Sequence, residues 1–270
     1  MKILFCGDIV GRSGREVVLA NVPRLIKDYK IDLVIVNAEN AAHGFGVNKR
    51  ICQDLFEAGV DVISTGNHVW DQRDILFFID QEKRLIRPIN FPAGTPGRGF
   101  TLVKARNGKS ALVVNAMARL YMDPLDDPFA AVEKVLTNHR LGQNVDAIVL
   151  DFHGEASAEK MAMGHLCDGR VSLVVGTHTH IPTADHMILP NGTGYQTDAG
   201  MCGDYNSVIG MHKDVPIARF TRKMPTDRMQ PATGPGTLCG VMVELNEQGL
   251  SQAIVPVRLG PNLSESKPWA

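Results

Sequence analysis

Short apolar runs recur along the chain, and most are followed by a stretch with helical spacing. KILFC (2–6) precedes a predicted helix from about Ser13 to Tyr29. DLVIVN (32–37) leads, after a Gly-rich loop, to a predicted helix near Asn48–Ala58. DVIST (61–65) leads to one near Asp71–Asp80, its start marked by Asp71 with Asp74 three residues on. Such alternation predicts a layered α/β fold. The middle of the chain breaks the pattern. RPINFPAGTPGRG (87–99) is a Pro/Gly loop. FTLVKAR and SALVVNA then flank Asn107-Gly108-Lys109, which predicts a hairpin. MDPLDDP (122–128) reads as solvated turn chemistry. Alternation resumes with a helix near Phe129–Leu141, the strand VDAIVLDF (145–152), a helix near Glu155–Cys167 and the run SLVVGTHTH (172–180). The last third is β-rich, with turns at Asn191-Gly192 and at 246–249, a helical segment near Asp214–Thr221, and a tail from Pro261 that reads as frayed. No repeat or low-complexity linker divides the chain. It reads as one domain, 1–270, with its polar motifs inside 8–180 and a β-rich part over about 181–260.

Composition narrows the class. The apolar runs are strand-sized, short of the roughly 20 residues a membrane span needs. Asp8 and Arg12 interrupt MKILFCGDIVG as a signal peptide. A formal net charge of -1 supplies no global field toward nucleic acid or anionic membrane. The five cysteines are scattered and lack a C-x-x-C pair, which argues against a disulfide framework or a thiolate zinc site. A reducing cytoplasm is the simplest setting, and Cys6 reads as a small core residue.

The chemistry lies at the strand ends. The first strand ends in C-G-D and carries Asp8; the second ends in N-A-E-N and carries Glu39 and Asn40; the third ends in T-G-N-H and carries Asn67 and His68. Later strands end in D-F-H-G-E, with His153, and G-T-H-T-H, with His178 and His180. Taken singly, each residue has an ordinary role: Asp8 as a helix cap, Glu39 in a turn, His153 as a buried hydrogen-bonded imidazole. Parallel strands, however, share one C-terminal edge, so five strand ends would deliver these groups to one place. His178 and His180, as alternate residues of extended chain, would point the same way. Oxygen and imidazole without thiolate suit Mn, Fe or Zn. Asp8, Glu39, Asn40, Asn67, His153, His178 and His180 are too many for one ion with an open position, and suit two ions sharing a carboxylate.

These blocks resemble the calcineurin-like metallophosphoesterases, whose motifs run D-x-H, G-D-x-x-[DN], G-N-H-[DE], H and G-H-x-H. The closer resemblance is to the YmdB-like branch, carried by GDIVG, NAENAAHGFG, TGNHVWD, DFHGEASAEK, VVGTHTHIPTAD and TDAGM (197–201). Three departures from the wider pattern stand out. Val10 occupies the place of the D-x-H histidine, Glu39 that of the bridging Asp, and Thr177 makes the last block G-T-H-T-H. The resemblance implies a four-layer α-β-β-α sandwich. It implies one ion on Asp8, Glu39, Asn40 and His180, a second on Glu39, Asn67, His153 and His178, and His68 as general acid. In this branch it implies a phosphodiesterase acting on 2',3'-cyclic nucleotides through a metal-bridging hydroxide.

Beside the site, Phe45 is a candidate for stacking on a nucleobase and His43 for touching phosphate. Asp198 is a candidate partner for an imidazole, or a turn residue. His139, His165, His186 and His212 match no block and read as structural or surface. Two other classes compete: a phosphomonoesterase or phosphoprotein phosphatase with the same site, and a regulatory RNA-linked protein retaining the fold. CGDIVGRSG lacks the glycine pattern of a phosphate loop. The expected partner is a small phosphoester or cyclic nucleotide, with no membrane. A link to RNA turnover and a homo-oligomer are left open.

Overall fold

The computed structural model describes residues 1–269. In its first half β1 (Lys2–Cys6), β2 (Asp8–Ile9), α1 (Gly11–Tyr29), β3 (Leu33–Asn37), α2 (Lys49–Glu57), β4 (Val62–Ser64), β5 (Phe100–Lys104) and β6 (Ser110–Met117) follow in order. The second half holds α3 (Pro128–Asn138), β7 (Ala147–His153), α4 (Ser157–Cys167), β8 (Leu173–Thr177), β9 (Met187–Ile188), β10 (Gly194–Gln196), β11 (Met201–Cys202), α5 (Asp214–Arg222), β12 (Leu238–Leu245) and β13 (Ser251–Leu259). One sheet has the order β13-β12-β1-β3-β4 and a second β5-β6-β7-β8-β10-β9; β2 and β11 form a small parallel pair of their own.

Each central strand is apolar on both sides because both of its faces are covered. Along β1 and β3, Ile3, Phe5, Leu33 and Ile35 face the second sheet, where they meet Ala111, Val113, Val149 and Val175. The alternate residues Leu4, Cys6, Val34 and Val36 face Val18, Val22 and Leu25 of α1 and Ile51 and Leu55 of α2. On the far side, Leu112, Val114, Ile148 and Leu150 pack against Val132 and Val135 of α3 and Met163 of α4. The layers are therefore helix, sheet, sheet, helix, the four-layer sandwich expected. The parallel strands β1, β3 and β4 of one sheet and β6, β7 and β8 of the other bring the loops after them to a common edge.

Local chemistry fixes most boundaries. Asn48 caps α2 through Ile51 N–H at 3.0 Å, and Asp127 caps α3, so one carboxylate of the Asp-rich loop is helix punctuation. Gly108, at φ 82°, supplies the left-handed position of the β5–β6 turn. Three expectations need correction. The helix predicted at Asp71–Asp80 is only a 3-10 turn at Arg73–Phe77, because Asp71 spends its carboxylate on His68 Nδ1 (2.8 Å) and no side chain caps the segment. His178 and His180 are not in extended chain: their φ angles are 99° and 67°, so their shared direction comes from a tight turn after β8. The tail is not frayed over 261–269, Ala270 lying outside the described residues: Ser266 pairs with Arg258, and Trp269 Nε1 donates to Glu244 at 3.1 Å. Among the described residues no helix is long and apolar enough to cross a membrane, and the five cysteines are buried and unbridged.

Candidate metal centre

The loops after β1, β3, β4, β7 and β8 meet at the shared edge of the two sheets. Asp8 sits in β2, where its neighbour strand β11 and the Gly200 carbonyl hold the backbone. Glu39 and Asn40 leave β3, Asn67 and His68 leave β4, and His153 ends β7. Asp8, Glu39, Asn40, His153 and His180 are all buried.

Donor atoms crowd together here beyond what hydrogen bonding can use. His153 Nε2 lies 2.9 Å from Asn67 Oδ1, 3.1 Å from Glu39 Oε1 and 3.2 Å from His178 Nδ1. One ring nitrogen has a single hydrogen or a single lone pair to offer, so it cannot satisfy three partners. Ligand atoms held about 2.0–2.2 Å from a common ion stand about 3 Å apart. Glu39, His153 and His178 each place one such atom within 4.8 Å of the others. Nearby, His180 Nε2 is 3.2 Å from Asn40 Oδ1. Asp8 Oδ1 and Glu39 Oε1 are buried acceptors that take no hydrogen bond. Orphaned carboxylate oxygens facing imidazole and amide ligand atoms fit divalent cations. Gly66 completes the cradle: a Cβ there would collide with Glu39 Oε2 and His153.

The electrostatics of the bare protein agree. Burial pushes the Asp8 carboxyl well above its usual range. Burial opposes ionisation of Glu39 too, but the neighbouring His153 and His68 hold it down to about 2. Burial likewise disfavours the His153 imidazolium, yet Glu39 and Asp8 raise it to about 9. His178, partly buried and beside His153, falls to about 3, and burial lowers His180.

A surrounding layer, unread from the sequence, orients these groups. His180 Nδ1 donates to the Ile209 carbonyl at 2.8 Å, turning Nε2 toward Asn40. Asn40 Nδ2 donates to the Gly44 carbonyl, leaving its oxygen for the site. The Glu39 carboxylate accepts the His68 N–H at 3.0 Å, and Asp8 accepts the His178 N–H at 3.0 Å. His153 Nδ1 is 2.9 Å from Thr177 Oγ1, which reaches Asp151 Oδ1 at 2.6 Å. Of the two roles expected for Asp198 the structure shows the turn: it accepts the Gly200 N–H at 2.9 Å, with the Lys160 ammonium at 2.8 Å and the Thr179 N–H at 3.1 Å, and among the described residues no imidazole hydrogen-bonds to it. Asp151 and Lys160 each leave a trace in the sequence, a charge inside an apolar strand or on a helix face that packs inward.

A cavity of about 250 Å³ opens above the cluster, lined by Glu39, Asn40, Phe45, His68, His178 and His180 among others. Phe45 stands edge-on to His68, with ring centroids 5.0 Å apart, and the Arg228 guanidinium lies 5.7 Å from its centroid. His43 is exposed and does not line the cavity, contrary to its expected contact with phosphate. A larger hollow of about 380 Å³ beside Leu136, His139 and Arg170 carries no carboxylate and no second imidazole.

Known proteins resemble this arrangement over nearly its whole length. The family described as YmdB-like protein matches residues 4–257. A 2',3'-cyclic-nucleotide 2'-phosphodiesterase of Bacillus subtilis (strain 168) is 47% identical over 248 residues, 92% of each chain. A crystal structure of a hypothetical protein from Thermus thermophilus superposes with a TM-score of 0.89 at 42% identity, covering 96% of this chain and 99% of that one. A phosphatase from Mycoplasma pneumoniae superposes at 0.87 with 31% identity, covering 96% and 93%.

Proposed function

This chain belongs to the YmdB-like family, and from that premise we propose that it is a two-metal phosphodiesterase opening 2',3'-cyclic nucleotides. The observation that carries the reading is the convergence of buried donor atoms around His153 Nε2 and the two orphaned carboxylate oxygens. The named activity of the Bacillus subtilis relative supports the substrate class. In this reading Asp8, Glu39, Asn40 and His180 hold one divalent ion, and Glu39, Asn67, His153 and His178 hold the other. Fe or Mn suits the donors best, and Zn is tolerated. Two such ions, held there, would supply positive charge beside the phosphoryl oxygens and Lewis acidity toward a water.

The chain's own residues do the rest. Glu39 joins the two halves of the donor set while its second oxygen fixes the His68 backbone. Asp71 engages His68 Nδ1, which leaves Nε2 as the ring nitrogen that hands a proton to the departing ribose oxygen. Such an alkoxide is a poor leaving group, so the proton matters. Phe45 offers an aromatic face at the cavity rim where a base would stack. The cavity suits a small phosphoester, and the substrate is taken as a free nucleotide.

The test is release of nucleoside monophosphate from 2',3'-cyclic AMP by Mn-loaded protein, with Glu39→Gln as control. Turnover in the wild type that vanishes in the variant supports the reading. Mn-loaded wild type that leaves the cyclic diester intact but cleaves a phosphomonoester moves the protein to the phosphatase class.

A further inference from the structure

Thr177 departs from the wider metallophosphoesterase pattern, and its surroundings give it a task. Its hydroxyl sits between two buried groups, His153 Nδ1 at 2.9 Å and Asp151 Oδ1 at 2.6 Å. The Asp151 carboxylate is fully buried and anchored on its other oxygen by Ser64 Oγ and, at 3.0 Å, by Asn37 Nδ2. An ionised carboxylate can only accept. Thr177 has one hydrogen, and it goes to Asp151. The hydroxyl must therefore accept from His153, which fixes a hydrogen on Nδ1, so that the neutral imidazole carries its lone pair on Nε2. Nε2 is the atom that meets Asn67, Glu39 and His178.

We propose that Asp151 and Thr177 are positioning residues that lock His153 in the tautomer able to bind a cation through Nε2. The proposal rests on the metal-site reading above but not on the substrate. A buried imidazole needs some partner in any fold. What goes beyond that need is the direction of the chain, set by three donors converging on Asp151. His180 reaches the same end by a simpler route, donating Nδ1–H to the Ile209 carbonyl, which can only accept. At His153 the backbone does not provide the acceptor, so a side-chain pair from β7 and β8 does.

The direction of the chain makes one substitution informative. In Asp151→Asn the amide oxygen stays toward Ser64 and Asn37, both donors, and the NH2 turns to Thr177. The Thr177 hydroxyl then donates to His153 Nδ1, which must accept, so the one hydrogen of the neutral ring sits on Nε2 and points into the site. Shape and burial are kept while the tautomer is inverted. Thr177→Val removes the relay without inverting it, and Thr177→Ser preserves it.

The experiment measures Mn affinity by competition with a chelating dye, together with the protonation of the His153 ring nitrogens in Zn-loaded protein by ¹⁵N–¹H correlation. The His153 signal is identified by its loss in His153→Asn. Asp151→Asn should bind Mn about 10–100-fold more weakly, Thr177→Val less weakly, and Thr177→Ser as the wild type does. Zn-loaded wild type and Thr177→Ser should carry the ring proton on Nδ1. Wild-type affinity in Asp151→Asn, or a proton on Nε2 in the Zn-loaded wild type, overturns the proposal. If Asp151→Asn does not fold, the Thr177→Val and Thr177→Ser pair decides: equal Mn affinity in the two overturns it. Absence of turnover on every phosphoester would sink the proposed function and leave both readouts here intact.

Discussion

The pair of Lys160 and Asp198 gives the most quantitative prediction. Lys160 reaches from α4 to Asp198 Oδ2 at 2.8 Å, with the two side chains 1% and 0% exposed. The carboxylate also holds Thr179 N–H, inside the turn that presents His178 and His180, and Gly200 N–H. Lys160→Met keeps the buried aliphatic stem and removes only the charge. Asp198 then remains buried without its cation, a change that costs about 3–5 kcal/mol. Unfolding entropy runs near 2.1 cal/mol/K per residue, so 270 residues give about 0.6 kcal/mol per kelvin and a fall in melting temperature of about 5–9 °C. Scanning calorimetry of the chelator-treated protein is the assay. The double change Lys160→Met with Asp198→Asn should recover much of the loss, because no unpaired charge is left behind. A single variant melting within about 2 °C of the wild type would refute the reasoning, since it would mean that buried Asp198 tolerates the loss of its cation without cost.

Three further outcomes are expected from the site and the core. His68→Asn should lower kcat on the cyclic diester about 10²–10⁴-fold while metal content stays at the wild-type level, read by elemental analysis beside the assay. Gly66→Ala should fold, because its backbone is not left-handed, yet bind less metal, because its methyl fills ground shared by Glu39 and His153; full Mn stoichiometry would contradict this. Burial pushes the thiols of Cys52, Cys167 and Cys239 up to about 12, so their thiolates form only far above pH 8. A thiol reagent at pH 8 should accordingly find no fast-reacting cysteine until denaturant is added, and fast native labelling would contradict the buried placement.

The donor set was legible because each member ends a strand, and strands announce themselves through runs such as LFC, VIVN and LVVGT. Parallel strands then put their ends together without any knowledge of packing. The geometry of the last pair was not legible. The letters H-T-H suggest alternation, whereas the chain leaves β8 at Thr177 and turns through two left-handed residues. The orienting layer was hidden for a different reason. Asp151 meets Thr177, Ser64 and Asn37 across separations of 26, 87 and 114 residues, and no periodicity encodes such a meeting. Asp71 misled because a carboxylate near a helix start serves as well for holding an imidazole as for capping. Phe45, singled out by adjacency in sequence, lines the cavity, while His43, two residues earlier in the same loop, faces solvent.

The seating of Asp8 has a consequence for how the molecule is made. The first strand is synthesised well before the strands that seat it: its flank is closed by β12, which begins at Leu238, and β2 is held by β11 at Met201–Cys202. A ribosome adding about 5–20 residues per second needs roughly 10–50 s to travel from one to the other. Until then the nascent chain carries the histidines and Glu39 but not a seated Asp8. The centre is thus a late product of biogenesis, finished only when the chain's last third folds back over its beginning. Truncated chains released early would keep every donor through His180 and still lack the framework that fixes the first of them.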